Sequence, residues 1–219
     1  MIHSVLDFLH TLTDPERLIH LLSTVLSGWL SYAFLSGIVF AETGLLVGFF
    51  LPGDSLLFTV GVVAGAGQLE IAVICLLLTV ASVLGDQCGY FIGYRTGPRI
   101  FRRPDSVLFR REYLQRTHAF YEKHGGKTLI YAKFVPIIRT FAPFIAGVGR
   151  MSYFRFLSFN VFGGIGWVLL MVLSGYNLGG VPFIRRNFEK VVLLIILVSV
   201  GPMLVQIVRS RFKIRQSPA

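Results

Sequence analysis

Apolar residues in this chain gather into long runs and do not alternate at the two-residue period of a half-buried strand. Residues 71–84, 156–175 and 191–208 are nearly continuous apolar stretches, and the last two approach the ~20 residues that a helix needs to cross a bilayer. Residues 1–12 make a weakly amphipathic start. Thr13-Asp14-Pro15-Glu16 then reads as a helix N-terminus, with a capping side chain, an early proline and an acidic first turn. Between residues 18 and 67 the apolar pattern is broken by Glu42 and by Pro52-Gly53-Asp54. Residues 71–94 predict a span with Gly85-Asp86 in its second half. Residues 95–127 are polar and basic, with an amphipathic helix expected over 111–124. Residues 128–149 are apolar again but contain Lys133, Pro136, Arg139 and Pro143.

The pattern predicts one membrane domain over 1–219, all-α, polytopic and without a separate soluble unit. An N-terminal helical segment (1–32) precedes a hairpin plus span (33–94), a basic cytoplasmic loop (95–127) and a second hairpin plus span (128–179). A last span (191–208) and a basic cytoplasmic tail (209–219) follow. Whether residues 18–40 cross the membrane or lie against it stays open.

Composition agrees. Hydrophobic residues are 54%, charged residues 15%, and mean hydropathy is +0.69, values that a soluble domain of this length does not reach. The net charge of +10 would suit nucleic acid, but its distribution argues for lipid. Nine of the 21 basic residues fall within 95–127, and Arg209, Arg211, Lys213 and Arg215 fall in the tail. Basic clusters beside apolar spans belong on the cytoplasmic side, next to anionic headgroups. Cys75 and Cys88 are too few for a disulfide framework or a metal site. The N-terminus lacks the charged start and small-residue cleavage site of a signal peptide. No Gly-x-Ser-x-Gly, His-Glu-x-x-His or phosphate-binding glycine loop occurs, so neither an enzyme nor a cofactor is expected.

The route of residues 128–149 follows from the charges that flank it. A crossing segment would leave twelve of the basic residues counted from Arg95 onward inside and six outside. A segment that dips in and returns leaves fifteen inside and three outside, which fits the positive-inside bias better. Two prolines and two cations also suit a broken backbone packed within protein at membrane depth, not a lipid-exposed helix. A re-entrant hairpin is therefore expected, with the C-terminus cytoplasmic.

The two interrupted segments match one another. Ala41-Glu42 is followed ten residues after the glutamate by Pro52, and Ala132-Lys133 ten residues after the lysine by Pro143. Each segment passes into a small-residue run, Ala64-Gly65-Ala66-Gly67 or Ala146-Gly147-Val148-Gly149. Each is followed by a span ending in Gly-Tyr (Gly89-Tyr90 and Gly175-Tyr176). Coincidence in low-diversity apolar sequence competes with duplication, and the shared order favours duplication. Hairpins entering from opposite faces would make an inverted repeat, the plan of transporters whose site lies where broken helices meet.

Glu42 and Asp54 lie in the first interrupted segment, Lys133 and Arg139 in the second. Each costs about 2.5–3.5 kcal/mol at the centre of a lipid-facing helix on the insertion scale, so the four must pair, face water or do work. Opposite signs on the two segments make mutual pairing sensible. Buried pairs add little net stability over apolar packing, which favours a working role over a merely structural one. The carboxylates are candidates for proton uptake and release. The cations, beside peptide dipoles freed by Pro136 and Pro143, are candidates for an anionic headgroup, Arg139 as a planar fork and Lys133 as a point charge. Asp54 also stands where it could cap the helix after Pro52 and Gly53. Asp86 could support the site or bond a neighbouring helix.

These residues resemble a known family. Phe40-Ala41-Glu42, Phe50-Leu51-Pro52-Gly53-Asp54-Ser55 and Gly85-Asp86 with Gly89-Tyr90 and Gly93 look like the first half of a DedA family protein. The run from Phe120 to Gly126, then Lys133-Phe134-Val135-Pro136-Ile137-Ile138-Arg139-Thr140-Phe141-Ala142-Pro143 and Ala146-Gly147, is similar to that family's second motif. The resemblance covers residues 33–209. It implies a multi-pass bacterial inner (plasma) membrane protein with two opposed re-entrant hairpins, the fold also called the VTT or SNARE-associated domain. It further implies transport of undecaprenyl phosphate or a related anionic lipid, coupled to protons and serving envelope homeostasis. By position, Glu42 and Asp54 match the family's acidic pair and Lys133 and Arg139 its basic pair, with Pro52, Gly53, Asp86, Pro136, Thr140 and Pro143 in support. The first basic position is commonly arginine in the family, and lysine there loses the bidentate fork. The expected partners are a polyprenyl phosphate, protons and membrane lipid, with a homo-oligomer compatible and nucleic acid excluded. A proton-driven exporter of small solutes, cations or drugs is the alternative.

Overall fold

A computed structural model describes residues 28–46, 51, 53–100 and 126–178, with isolated positions between 11 and 21. The expected amphipathic helix over 111–124, the last span, the basic tail and Pro52 lie outside the described residues. All the regular structure described is helical, as the run pattern predicts: α1 (Trp29–Gly44), α2 (Gly53–Gly65), α3 (Ile71–Ile100), α4 (Lys127–Lys133), α5 (Pro136–Val148) and α6 (Tyr153–Leu178).

Two of these, α3 and α6, are long and apolar enough to cross a bilayer, each with a mean hydropathy of 2.0 over its most apolar part. Helix α3 runs past Tyr94 to Ile100, further than the polar residues after Tyr94 predict. Leu76, Val80, Leu84 and Phe91 on α3 and Phe154, Phe162 and Leu173 on α6 are exposed, while Asp86 on α3 and Asn160 on α6 are buried. A surface of large apolar side chains around a polar centre suits lipid as the solvent.

Breaks in the helices have local causes. Val135 is extended (φ −109°, ψ 109°) because the ring of Pro136 excludes helical geometry from the residue before it, and α5 starts at Pro136, where a missing N–H costs nothing. Pro143 does not mark a break: it lies inside α5. There it withholds the N–H that would bond the Arg139 carbonyl. The chain therefore turns between α4 and α5 at residues 134–135, closer to Lys133 than the pairing of Pro143 with Pro52 predicts.

Helices α2 and α5 end alike. The Gln68 N–H bonds the Val63 carbonyl, and the Met151 N–H bonds the Ala146 carbonyl, each closing six residues around a left-handed residue, Gly67 (φ 80°) or Arg150 (φ 51°). The crossings that follow are alike as well. Helix α2 packs on α6 and α5 packs on α3. A Cβ on Gly61 would come 2.1 Å from the Val172 carbonyl oxygen, and one on Gly147 would come 2.0 Å from that of Tyr90. Reciprocally, a Cβ on Gly175 would meet the Phe58 oxygen at 2.0 Å, and one on Gly93 that of Phe144 at 2.1 Å. Backbones at this separation gain dispersion contact where no hydrophobic drive joins helices in lipid.

The larger apolar core gathers Leu35, Val39, Leu56, Val60, Leu78 and Val168 from α1, α2, α3 and α6. A smaller one joins Tyr90, Ala142, Ala146 and Phe156. Glu42, Asp54, Asp86, Lys133 and Arg139 are buried as well.

Candidate functional site

Six helices each deliver a polar side chain to one buried centre. Glu42 stands in the last turn of α1 and Asp54 in the first turn of α2, so the first interruption places both carboxylates at broken helix ends. Lys133 ends α4, and Arg139 follows one turn into α5. Asp86 and Ser82 come from α3, and Asn160 and Trp167 from α6. All five charged groups are buried: Glu42 and Asp86 are 1% exposed, Lys133 and Arg139 4%, and Asp54 8%.

Arg139 is the hub. One terminal nitrogen donates to Asp54 Oδ1 and the other to Glu42 Oε1, so a single guanidinium binds a carboxylate from each helix flanking the first break. A planar fork can serve two acceptors at once; an ammonium would have to choose or bend. The Trp167 indole N–H donates to the same Asp54 Oδ1 at 2.7 Å, and its ring lies beneath Arg139, 4.6 Å from guanidinium carbon to ring centroid. The indole thus satisfies the acid at its edge and the base at its face.

Lys133 makes a second centre beside the first. Its ammonium pairs with Asp86 and donates to Ser82 Oγ at 2.9 Å, 5.7 Å from the Trp167 ring centroid. Asn160 donates its amide N–H to the Val83 carbonyl at 3.2 Å. A cavity of about 10 Å³ lies between the centres, bordered by Asp86, Asn160, Lys133, Arg139, Pro143 and Phe156.

Of the residues singled out in the sequence, Glu42, Asp54 and Arg139 meet directly, and Lys133 meets Asp86. Thr140 is buried next to Arg139, and Pro143 borders the cavity. Gly53 is required by contact: a Cβ there would fall 2.0 Å from Glu42 Oε2. Pro136 opens α5, and nothing is described of its side chain. Sequence reasoning missed Trp167, Asn160 and Ser82. A tryptophan in the middle of a span, away from the interface where that residue normally sits, was the available signal for Trp167. An amide inside an apolar run was the signal for Asn160. Among the described residues no cluster of three or more His, Cys, Asp and Glu suits a metal ion.

Comparisons with known proteins place the chain in a family. Residues 51–177 match the VTT domain model. The chain is 48% identical over 182 residues to "Protein DedA" of Escherichia coli (strain K12), covering 82% of this chain and 83% of that one. An uncharacterized membrane protein of Mycobacterium leprae (strain TN) is 49% identical over 168 residues, 77% of this chain and 75% of its own. "Inner membrane protein YqjA" of Escherichia coli (strain K12) is 36% identical over 169 residues, 77% of each. No solved structure matches the chain. The chain belongs to the DedA family of VTT-domain inner-membrane proteins.

Proposed function

We propose that this protein is a proton-coupled lipid carrier that flips or scrambles undecaprenyl phosphate or a related anionic lipid across the bacterial inner membrane. The observation that carries the reading is the Arg139 fork: a buried guanidinium held by Asp54 and Glu42 from two broken helix ends. An arginine suits a phosphate as well as it suits a carboxylate pair, so an arriving headgroup competes with Glu42 and Asp54 for the same donors.

In this reading the two carboxylates divide the work. Asp54 Oδ1 receives both Arg139 and the Trp167 N–H, in the first turn of a helix whose dipole stabilises negative charge. Glu42 Oε2 is buried with no hydrogen-bond partner among the described residues. The exchangeable proton therefore belongs on Glu42. The buried centre holds one more carboxylate than cations, and a proton on Glu42 balances it; an uncompensated buried charge is costly.

The membrane plan goes with it. Hairpins α1–α2 and α4–α5 are re-entrant from opposite faces, the units are related as an inverted repeat, and the chain is multi-pass with a cytoplasmic C-terminus. The matched helix ends and the reciprocal glycine crossings of α2 on α6 and α5 on α3 support the repeat, and the basic loop and tail support the orientation.

Reconstitution tests the carrier reading. Liposomes loaded symmetrically with undecaprenyl phosphate are followed for depletion of the outer-leaflet pool. Wild-type protein should accelerate movement, a proton gradient should bias it, and Arg139→Ala should be inert. Equal rates for the two proteins would end this reading. A proton-driven exporter of small cations is the second reading, favoured by the excess carboxylate. It predicts cation flux that depends on Glu42, with no lipid movement.

A further inference from the structure

The cavity between the two charged centres has the size and the lining for one particular guest. Its volume of about 10 Å³ is what a single water-sized group needs. Apart from Asp86 Oδ2, which forms the ion pair with Lys133, three buried polar atoms of its lining residues have no hydrogen-bond partner among the described residues: Asp86 Oδ1, Asn160 Oδ1 and Arg139 Nε. Two are acceptors and one is a donor. Lys133, bound to Asp86 and Ser82, has a third N–H to give. A water placed there would have Asp86 and Asn160 to donate to and Arg139 Nε and Lys133 to accept from, its full valence.

We propose that this position is the entry point for one oxygen of an anionic phosphate headgroup, and that Asp86, positioned with Asn160, is the proton lock on it. The proposal rests on the carrier reading and adds a second proton site to Glu42, which keeps its proton while the headgroup binds. A phosphoryl oxygen accepts and does not donate. It can replace the water beside Arg139 Nε and Lys133, but an ionised Asp86 Oδ1 repels it. One solvent proton on Asp86 Oδ1 turns that acceptor into a donor and releases Lys133 from its ion pair. The charge count requires the same step. With Glu42 protonated the centre is neutral, so a monoanion enters without net charge only if one more proton enters with it. The groups that bear on Asp86 are Lys133 from α4, Arg139 from α5, and Asn160, a neutral acceptor, from α6. Glu42 and Asp54 from α1 and α2 act through Arg139. Of these, Lys133 and Asn160 are within the lock itself.

Titration calorimetry of the full chain in lipid nanodiscs tests this, with citronellyl phosphate as probe and citronellol as its uncharged control. Paired buffers of different ionisation enthalpy give the protons taken up per probe. Above its midpoint pH the wild type should lose about tenfold in affinity per pH unit and take up about one proton. Asp86→Asn, a permanent donor, should take up about one proton fewer than the wild type and keep only the pH dependence of the probe's own second ionisation, near pH ~6. Asn160→Leu keeps every charge and decides the matter if Asp86→Asn fails to fold. Losing the water that donates to Asp86 should move its binding midpoint to higher pH. Undiminished uptake in Asp86→Asn, or an unmoved midpoint in Asn160→Leu, overturns the lock. Binding with Asp86-linked uptake but no lipid movement in liposomes would instead overturn the carrier reading, and absence of phosphate binding would overturn both.

Discussion

Arg139 and Trp167 are joined at two places, the guanidinium over the indole face and the indole N–H on the Asp54 oxygen that Arg139 also binds. The two contributions can be separated. Trp167→Phe keeps an aromatic face and deletes the N–H, removing one of the donors to a buried carboxylate at a cost of about 1–3 kcal/mol. Trp167→Leu deletes the face too and loses a further ~2 kcal/mol of desolvated cation–π contact. Denaturant unfolding in detergent should rank the three proteins accordingly. Equal stability for Phe and Leu would mean that the stack contributes nothing.

Under the carrier reading, stability and transport part company at Arg139. Arg139→Gln leaves Asp54 as a buried charge without its partner and should cost about 3–5 kcal/mol. Adding Asp54→Asn removes that charge and should restore most of the loss. The double variant should remain unable to move lipid in liposomes, because no fork is left for the phosphate. Recovery of both stability and transport would show that Arg139 only neutralises Asp54.

Gly53 and Glu42 are coupled by space. A methyl at residue 53 would lie 2.0 Å from Glu42 Oε2, so Gly53→Ala has to push the carboxylate off Arg139 or shift the start of α2. The expected loss is about 1–3 kcal/mol, as for overpacking elsewhere. Glu42→Ala makes room, so the double variant should be more stable than the sum of the two single changes predicts, with a coupling of roughly 0.5–3 kcal/mol. A thermal-shift cycle of the four proteins measures it, and additivity would place the origin of the Gly53 requirement elsewhere.

Much of the centre was legible because charge is conspicuous in an apolar run. Glu42, Asp54, Lys133 and Arg139 stand out for the desolvation they would suffer alone, and all four are buried together. The partner assignments were less legible. Opposite hairpins were expected to pair acid with base, yet Arg139 takes both acids and Lys133 turns to Asp86 on a span. That outcome depends on how α4, packed on α5 and α6, presents Lys133 to α3, which no local spacing encodes. Trp167 and Asn160 were missed because an uncharged side chain in an apolar run costs too little to signal its role. Pro143 misled differently: a proline marks a break only where the helix lacks support, and packing of α5 on α3 supplies it here.

The two crossings offer the last prediction, since they share a geometry without sharing a residue. Gly61 faces the Val172 carbonyl across α2 and α6, and Gly147 faces the Tyr90 carbonyl across α3 and α5, with the following backbone nitrogens of Tyr176 and Tyr94 at 2.8 Å from the added Cβ in both. Backbone atoms cannot rotate away as a side chain can, so a methyl at either position forces the helices apart. Gly61→Ala and Gly147→Ala should each destabilise the fold by about 1–3 kcal/mol, and by similar amounts. Their effects should add within ~0.5 kcal/mol, because the crossings have no partner in common. If one change is neutral and the other severe, the crossings are not equivalent and the proposed inverted repeat loses this support. If the two are equal but strongly non-additive, the crossings move as one body, and hairpins that open independently around Arg139 are excluded.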